Sequence, residues 1–371
     1  MPSSNSGNRR DFLTGKTVLD GIRDRVEDVT SHVAPSAGHT VRMAQQAMAC
    51  DFAVIQNAGV PKRRIQEASQ ALDLIGELEQ QLSVYKSDSE LSEINRLASQ
   101  RPVEVEGQLF GLLVEAKRIS ESTDGAFDPT AGPLVALWRE CREQSRIPTQ
   151  EEIETCLERV GMHHVQLLAA NSDEQLESEK ELATRTIQYD RTDVELNLGA
   201  IGKGYALDRT ANLLLASNVQ DFLVHGGHSS IFARGDHNGL GGWPVGIGNP
   251  LFTSKRLGTV VLRDQGMGTS GSNIQYFRHQ GKKYGHILDP RTGWPVESML
   301  SVTVLAPTAA MADALSTAFY VMGVEKVLEC CDNLEGVGVI LIPTPSGRDL
   351  RPIVHGIPKE KLFLDQSQLG N

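Results

Sequence analysis

The hydrophobic period of this chain changes partway along its length, and that change limits the folds open to it more than any other feature. After Pro61, which suits the opening of a helix, apolar residues at Ile65, Ala68, Leu72, Ile75, Leu78 and Leu82 keep a helical spacing. A second such run spans about Gln108 to Ser122 and stops at Asp124-Gly125, a left-handed cap signal. A short helix capped by Asp88 or Ser89 lies between them, and Thr149-Gln150-Glu151-Glu152 reads as a capping box opening another. From about residue 190 the pattern is different, with short strand-like runs such as Phe222–Val224, Trp243–Ile247, Leu257–Leu262, Leu300–Leu305 and Gly336–Ile342. Before the helices, the stretch Val41–Val60 suits a core strand in its second half.

Chemistry gathers in the later half. Val194–Leu198 alternates like a strand and enters Gly199-Ala200-Ile201-Gly202-Lys203-Gly204, after which Tyr205, Ala206, Ala211, Leu214 and Leu215 continue as a helix. A glycine turn between strand and helix offers backbone N–H groups and a helix N-terminus, which suits phosphate. Its spacing matches neither the P-loop nor the G-x-G-x-x-G fingerprint, but Lys203 adds a cation beside the donors. Gly266–Pro295 is dense in glycines and hydroxyls, with Thr269-Ser270-Gly271 as a turn and His286 to Pro290 as a further segment. Asp313 and Thr317 lie four apart and share a helix face. Such a pair either holds a hard cation or serves as a cap and a back-bonded threonine. Asp128 and Thr130, in a loop stiffened by Pro129 and Pro133, are site candidates or the corner between two helices.

Composition narrows the classes. At 371 residues, 40% hydrophobic and 22% charged, the chain can build a large core as one α+β domain or two. A net charge of -11 with no concentrated basic face argues against nucleic acid and anionic lipid as general partners. No run approaches the ~20 apolar residues of a membrane span. The five cysteines have no C-x-x-C pair, which points to a reducing compartment, and Cys330 and Cys331 are expected near a helix end, one buried and one exposed. The histidines lack the spacing of a zinc site. Arg9-Arg10 resembles an export motif, yet the following segment carries Lys16, Asp20, Arg23, Asp24 and Arg25 where a signal peptide is apolar; the expected location is cytoplasmic.

Taken in order, Met48 with Phe52, Tyr85–Glu90 through Ile94-Asn95, Gly125–Thr130, Gly199–Asp208, Gly226-Gly227, Thr269-Ser270-Gly271, His286–Gly293 and Ala312–Thr317 resemble the ApbE family of FAD:protein FMN transferases over roughly residues 45–345. The resemblance implies Mg2+-dependent cleavage of FAD, with FMN passing to a Thr or Ser hydroxyl of an acceptor protein, such as a redox or electron-transport subunit, and release of AMP. It implies Mg2+ ligation by Asp313, Thr317 and the carbonyl of Ala200. FAD, as substrate, would be lined by Met48, Tyr85, Ala126, Phe127, Asp128, Asn197, Lys203 and Ile287. His286 is the candidate catalytic group, as base toward the acceptor hydroxyl or as nucleophile. The sequence departs from the family at Asn197, where Asp is expected, at His228 after the double glycine, and at Ala49-Cys50 in place of Gly-Thr. Those departures keep two alternatives in view, a FAD pyrophosphatase and a catalytically weak flavin-binding protein.

The fold expected, on the resemblance more than on the periodicity, is α+β: an ApbE-like, T-fold-related, largely antiparallel sheet with flanking helices and the FAD cleft between two lobes. The expected division is a polar tail over 1–40, a transferase domain over 41–345 and a peripheral tail over 346–371. Within the domain a helical lobe covers about 60–160 and a sheet lobe about 190–345.

Overall fold

A computed structural model describes residues 34–35, 38–169, 184–252, 254–271, 276–345 and 349–369. Most of the expected N-terminal tail and of the charged segment 171–185 lies outside them. In chain order the elements are β1 (Thr40–Ala47), β2 (Cys50–Asn57), α1 (Lys62–Leu82), α2 (Glu90–Leu97), β3 (Val103–Glu104), α3 (Gly107–Ser122), α4 (Gly132–Glu143), α5 (Gln150–Leu157), β4 (Val165–Ala169) and β5 (Arg185–Tyr189). Then come α6 (Gly202–Ala216), β6 (Phe222–Gly226), β7 (Ser230–Arg234), β8 (Trp243–Gly248), β9 (Arg256–Leu262), β10 (Gln265–Gly271), β11 (Tyr276–His279) and β12 (Lys282–Gly285). The chain closes with β13 (Met299–Ala306), α7 (Ala309–Met322), α8 (Val324–Cys331), β14 (Gly338–Pro343), β15 (Ile353–His355) and β16 (Leu362–Leu364).

The expected α+β class is what these elements build. An antiparallel sheet of eight strands runs β1-β2-β6-β7-β10-β13-β14-β15. Period-2 alternation gives it two buried faces: Val339 and Leu341 of β14 join the core beneath α1, α6 and α7, while Ile340 and Ile342 join the core shared with the small sheet β16-β9-β8. Strand directions then decide where chemistry can gather. The register pairs Phe52 with Gly226, Gly226 with Ser230, Ser230 with Gly268, and Gly271 with Ser301. Hence β2, β7 and β13 start, and β6 and β10 finish, at one end of the sheet.

Local signals account for many boundaries. Ser89 caps α2 through a bond to the Ser92 N–H, and Thr149 with Glu152 forms the expected capping box on α5. Asp124 and Gly125 take φ of 51° and 70° after α3.

Elsewhere the structure differs from expectation. The stretch 41–60 is a hairpin and not one strand, because Met48 and Ala49 adopt φ of 47° and 58°, the left-handed pair of a tight two-residue turn. Val194–Leu198 is extended but joins no ladder; its one bridge is Glu195 to Ala131. The cause is Asn95, whose side chain takes both backbone groups of Leu196 at 2.8 and 2.9 Å. Thr269-Ser270-Gly271 is the end of β10, paired with Thr303, Val302 and Ser301, and not a turn. The second half holds a third helix, α8, which ends at buried Cys331 and half-buried Cys330. Residues after 346 supply β15 on β14 and β16 on β9. Among the described residues no helix is long and apolar enough to cross a membrane.

Candidate functional site

The start of α6 lies at the end of the sheet where β6 turns into β7. Asn197 shapes the approach: its Oδ1 accepts the Gly199 N–H at 2.9 Å, and its own N–H donates to the Pro129 carbonyl at 2.7 Å. The glycine segment and the Asp128 loop are therefore stitched together. Ile201, at the N-cap of α6, makes no side-chain cap; the Gly202 N–H donates to the Leu198 carbonyl at 2.7 Å and the Gly204 N–H to Asp313 Oδ2 at 3.1 Å, which leaves the Lys203 N–H in the first turn for an anion.

Asp313 is the hub. On α7 and 4% exposed, it accepts from Gly204 on one oxygen and from Ser230 Oγ on the other at 3.0 Å, with Lys203 Nζ 3.7 Å from Oδ2. One turn on, the Thr317 hydroxyl is 3.2 Å from Ser270 Oγ, which also meets Ser316 Oγ at 2.9 Å. The corner thus offers one carboxylate, several hydroxyls and one ammonium, all on α6, α7 or adjoining strand ends.

Close packing fixes α7 there. A Cβ on Gly204 would lie 2.1 Å from the Ala309 carbonyl oxygen, and one on Gly268 would lie 2.3 Å from that of Ala312. The helices also cap one another. Asp208 of α6 accepts the Ala309 and Ala310 N–H groups of α7, both at 2.8 Å, while Asp313 of α7 accepts Gly204 of α6. Burial pushes the Asp208 carboxyl up to about 7, against the pull of those two N–H groups.

The remaining predicted residues are placed unevenly. Met48 sits in the β1–β2 turn, half-buried against the core. Tyr85 is 73% exposed after α1, with the Arg139 guanidinium 5.4 Å from its ring. Ala126, Phe127 and Ile287 are buried in the main core, so contact with a ligand there falls to their backbone. Asp128 folds its own loop: its carboxylate accepts from the Thr130 N–H and hydroxyl at 2.8 and 2.5 Å and from Met162 N–H at 3.2 Å. Burial raises its pKa against those bonds. His286 is exposed just after β12, in the link to Asp289, whose carboxylate receives the Arg291 guanidinium at 2.8 Å on each oxygen.

Sequence reading missed Ser230 as a partner of Asp313 and Asp208 as the cap of α7. Ser229-Ser230 after the double glycine was the available signal for the first; the second needs α7 in place. Cys50, at the Ala49-Cys50 departure, lies in contact range of Gly227, and burial raises its thiol pKa against the pull of nearby Lys203.

Metal-ligating capacity is limited. Among the described residues no group of three or more His, Cys, Asp or Glu side chains is placed to hold a metal ion. Asp313 and Thr317, one turn apart on α7, present oxygen atoms of the kind a hard cation takes together with water and phosphate. A cavity of about 380 Å3 elsewhere, between α1 and α6, is lined by Glu77, Asp88, Glu90 and Glu106 with Arg209. Its carboxylates repel a dinucleotide, so the α6–α7 corner is the better place for one.

The ApbE family model matches residues 44–341. The FAD:protein FMN transferase of Escherichia coli K12 is 36% identical over 269 residues, 71% of this chain and 73% of its own. That of Treponema pallidum is 34% identical, covering 76% and 79%. The solved flavin transferase ApbE from Vibrio cholerae superposes with a TM-score of 0.69 at 27% identity, over 86% of this chain and 97% of the other. The ApbE protein of Thermotoga maritima gives 0.70 at 28% identity, over 82% and 94%.

Proposed function

Because the chain belongs to the ApbE family, we propose that it is a FAD:protein FMN transferase, moving FMN from FAD to a Thr or Ser hydroxyl of an acceptor protein. The observation that carries this reading is the meeting of Gly204 N–H, Lys203 Nζ and Asp313 at the N-terminus of α6. Phosphoryl transfer asks the protein for positioning and charge neutralisation more than for covalent chemistry. The dipole at the start of α6 and the Lys203 ammonium supply positive potential to the pyrophosphate. Asp313 holds Lys203 and the helix start in place.

In the proposed reaction a P–O bond forms between the acceptor hydroxyl oxygen and the FMN phosphorus. The P–O bond to the bridging oxygen breaks, and that oxygen leaves on AMP. The hydroxyl proton passes to His286, which is exposed after β12, and from there to solvent. Mg2+ belongs to the same proposal: Asp313, Thr317 and the Ala200 carbonyl would hold it, and when bound it supplies neutralisation of phosphate charge. Asn197, engaged with Gly199, shapes the turn as an amide, so the missing Asp charge does not dismantle it. The acceptor is proposed to be a redox or electron-transport subunit, and the compartment the cytoplasm.

The test is mass spectrometry of the protein incubated with FAD, Mg2+ and an acceptor domain carrying a candidate Thr, with Asp313→Ala in parallel. A gain of one FMN on the acceptor with AMP released, both lost in the variant, is expected. FMN and AMP released with the acceptor unlabelled would replace the transferase by a pyrophosphatase. Intact FAD throughout would reduce the protein to a flavin binder.

A further inference from the structure

The hairpin β11–β12 is inserted between the two segments that carry Ser270 and His286, and its two faces differ sharply. Gln280 and Gly281, with φ of 48° and 81°, make the tight turn. On the inner face Phe277 and Tyr284 are directly opposed and stacked at 5.3 Å, and Trp138 of α4 lies 6.0 and 5.8 Å from their rings. Those aromatics hold the hairpin rigidly on α4. Near its tip His279 bonds the Ser145 carbonyl and Lys282 pairs with Glu297 at 2.9 Å.

The outer face is built otherwise. It carries Tyr276, 44% exposed, with Arg278 directly opposite Lys283 in the register. Like charges facing each other across a ladder are destabilising. Here neither has an ion-pair partner among the described residues; Lys283 Nζ and the Arg278 guanidinium lie 4.2 and 5.8 Å from the Tyr276 ring. On a chain with a net charge of -11, two adjacent cations and an exposed aromatic make this face locally basic. Gly285, which closes the hairpin opposite Tyr276, immediately precedes His286.

We propose that this outer face is the docking surface for the acceptor protein, and that it recognises a segment with carboxylates flanking the acceptor hydroxyl; the inference rests on the transferase reading above. On that reading His286 takes the proton of the acceptor hydroxyl, so the acceptor reaches His286 and passes beside the hairpin that ends at Gly285. Its affinity for carboxylates follows from charge, and Tyr276 supplies flat apolar contact of the kind interfaces favour. FAD does not need these cations, because its pyrophosphate already has Lys203 and the α6 N-terminus. The hairpin face is an exposed strand surface, not a cavity.

The test uses two rhodamine-labelled peptides of equal length with one central Thr, one flanked by Asp and Glu and the other by Lys and Arg. Anisotropy is read against the whole chain, its Arg278→Glu/Lys283→Glu variant and its Arg278→Gln/Lys283→Gln variant, at roughly 50 and 300 mM salt. Flavin fluorescence gives the FAD affinity of each. The acidic peptide is expected to bind at least about tenfold tighter than the basic one at low salt. Charge reversal should erase that preference, neutralisation should weaken it, and FAD affinity should stay within about twofold. Equal binding of both peptides, or an acidic preference that survives charge reversal, overturns the docking surface and leaves the transferase reading intact. FAD affinity that falls with peptide affinity reassigns the pair to the FAD site and also overturns it. A wild-type chain that binds no FAD removes the transferase reading, and the acceptor role with it.

Discussion

Replacing Gly268 by alanine tests the packing that positions Asp313. The added Cβ would meet the Ala312 carbonyl oxygen at 2.3 Å, its carbon at 2.5 Å and the Asp313 nitrogen at 2.7 Å, all backbone atoms of α7, where ordinary contact begins at 3.4 Å. No side chain can rotate away, so α7 must retreat from β10 by about 1 Å or tilt. Overpacking of this kind costs about 1–3 kcal/mol. For a domain of this size that is a fall of about 2–5 °C in Tm. Asp313 moves with the helix, and a 1 Å misplacement of a positioning group costs on the order of 10^2-fold in rate. Gly111→Ala is the control: Gly111 lies exposed within α3, nothing would approach its Cβ within 4 Å, and helix propensity alone should stabilise by about 0.5–1 kcal/mol. Differential scanning calorimetry and FMN transfer rates on both variants decide. Unchanged Tm and rate in Gly268→Ala would refute the contact argument; a lower Tm with full turnover would show that this contact does not position Asp313.

Other outcomes follow from the same geometry. Asp313→Asn keeps the volume but removes the charge beside Lys203 and puts an amide donor against Gly204 N–H or Ser230, so transfer should fall by about 10^2-fold or more in steady-state assays. Gln56 is fully buried with neither amide atom hydrogen-bonded, so Gln56→Leu should raise stability by about 1–3 kcal/mol in urea unfolding. Asp208 carries a folded pKa of about 7 against an ordinary 3.8, so the folded state holds the extra proton between those values. Its contribution to stability is present below about pH 4 and lost as pH rises through 7; urea midpoints at pH 5 and pH 8 should differ less in Asp208→Asn than in wild type.

The parts legible in the sequence are those written in local chemistry. The Thr149–Glu152 box, the Asp124-Gly125 stop and the glycine turn before α6 each depend on residues within one or two turns of one another, and each forms where its signal stands. Asp313 and Thr317 on one helix face were equally readable. What escaped depends on partners far along the chain. Val194–Leu198 has the alternation of a strand because Val194, Leu196 and Leu198 are buried, yet Asn95 takes the backbone bonds a neighbouring strand would have taken. Asp128 looks like a free carboxylate until Thr130 and Met162 close on it. The hairpin at Met48-Ala49 was hidden because neither residue is a usual left-handed former.

The exchange of caps between α6 and α7 also dictates when the corner between them can exist. Its three hydrogen bonds join residues 101, 102 and 109 positions apart, so nothing in the first half of synthesis can assemble them. Until Asp313 has left the ribosome, Asp208 has no N–H groups to accept and Gly204 has no carboxylate to meet. A nascent or truncated chain therefore presents no paired Lys203–Asp313 corner, which exists only in molecules that have completed nearly the whole fold.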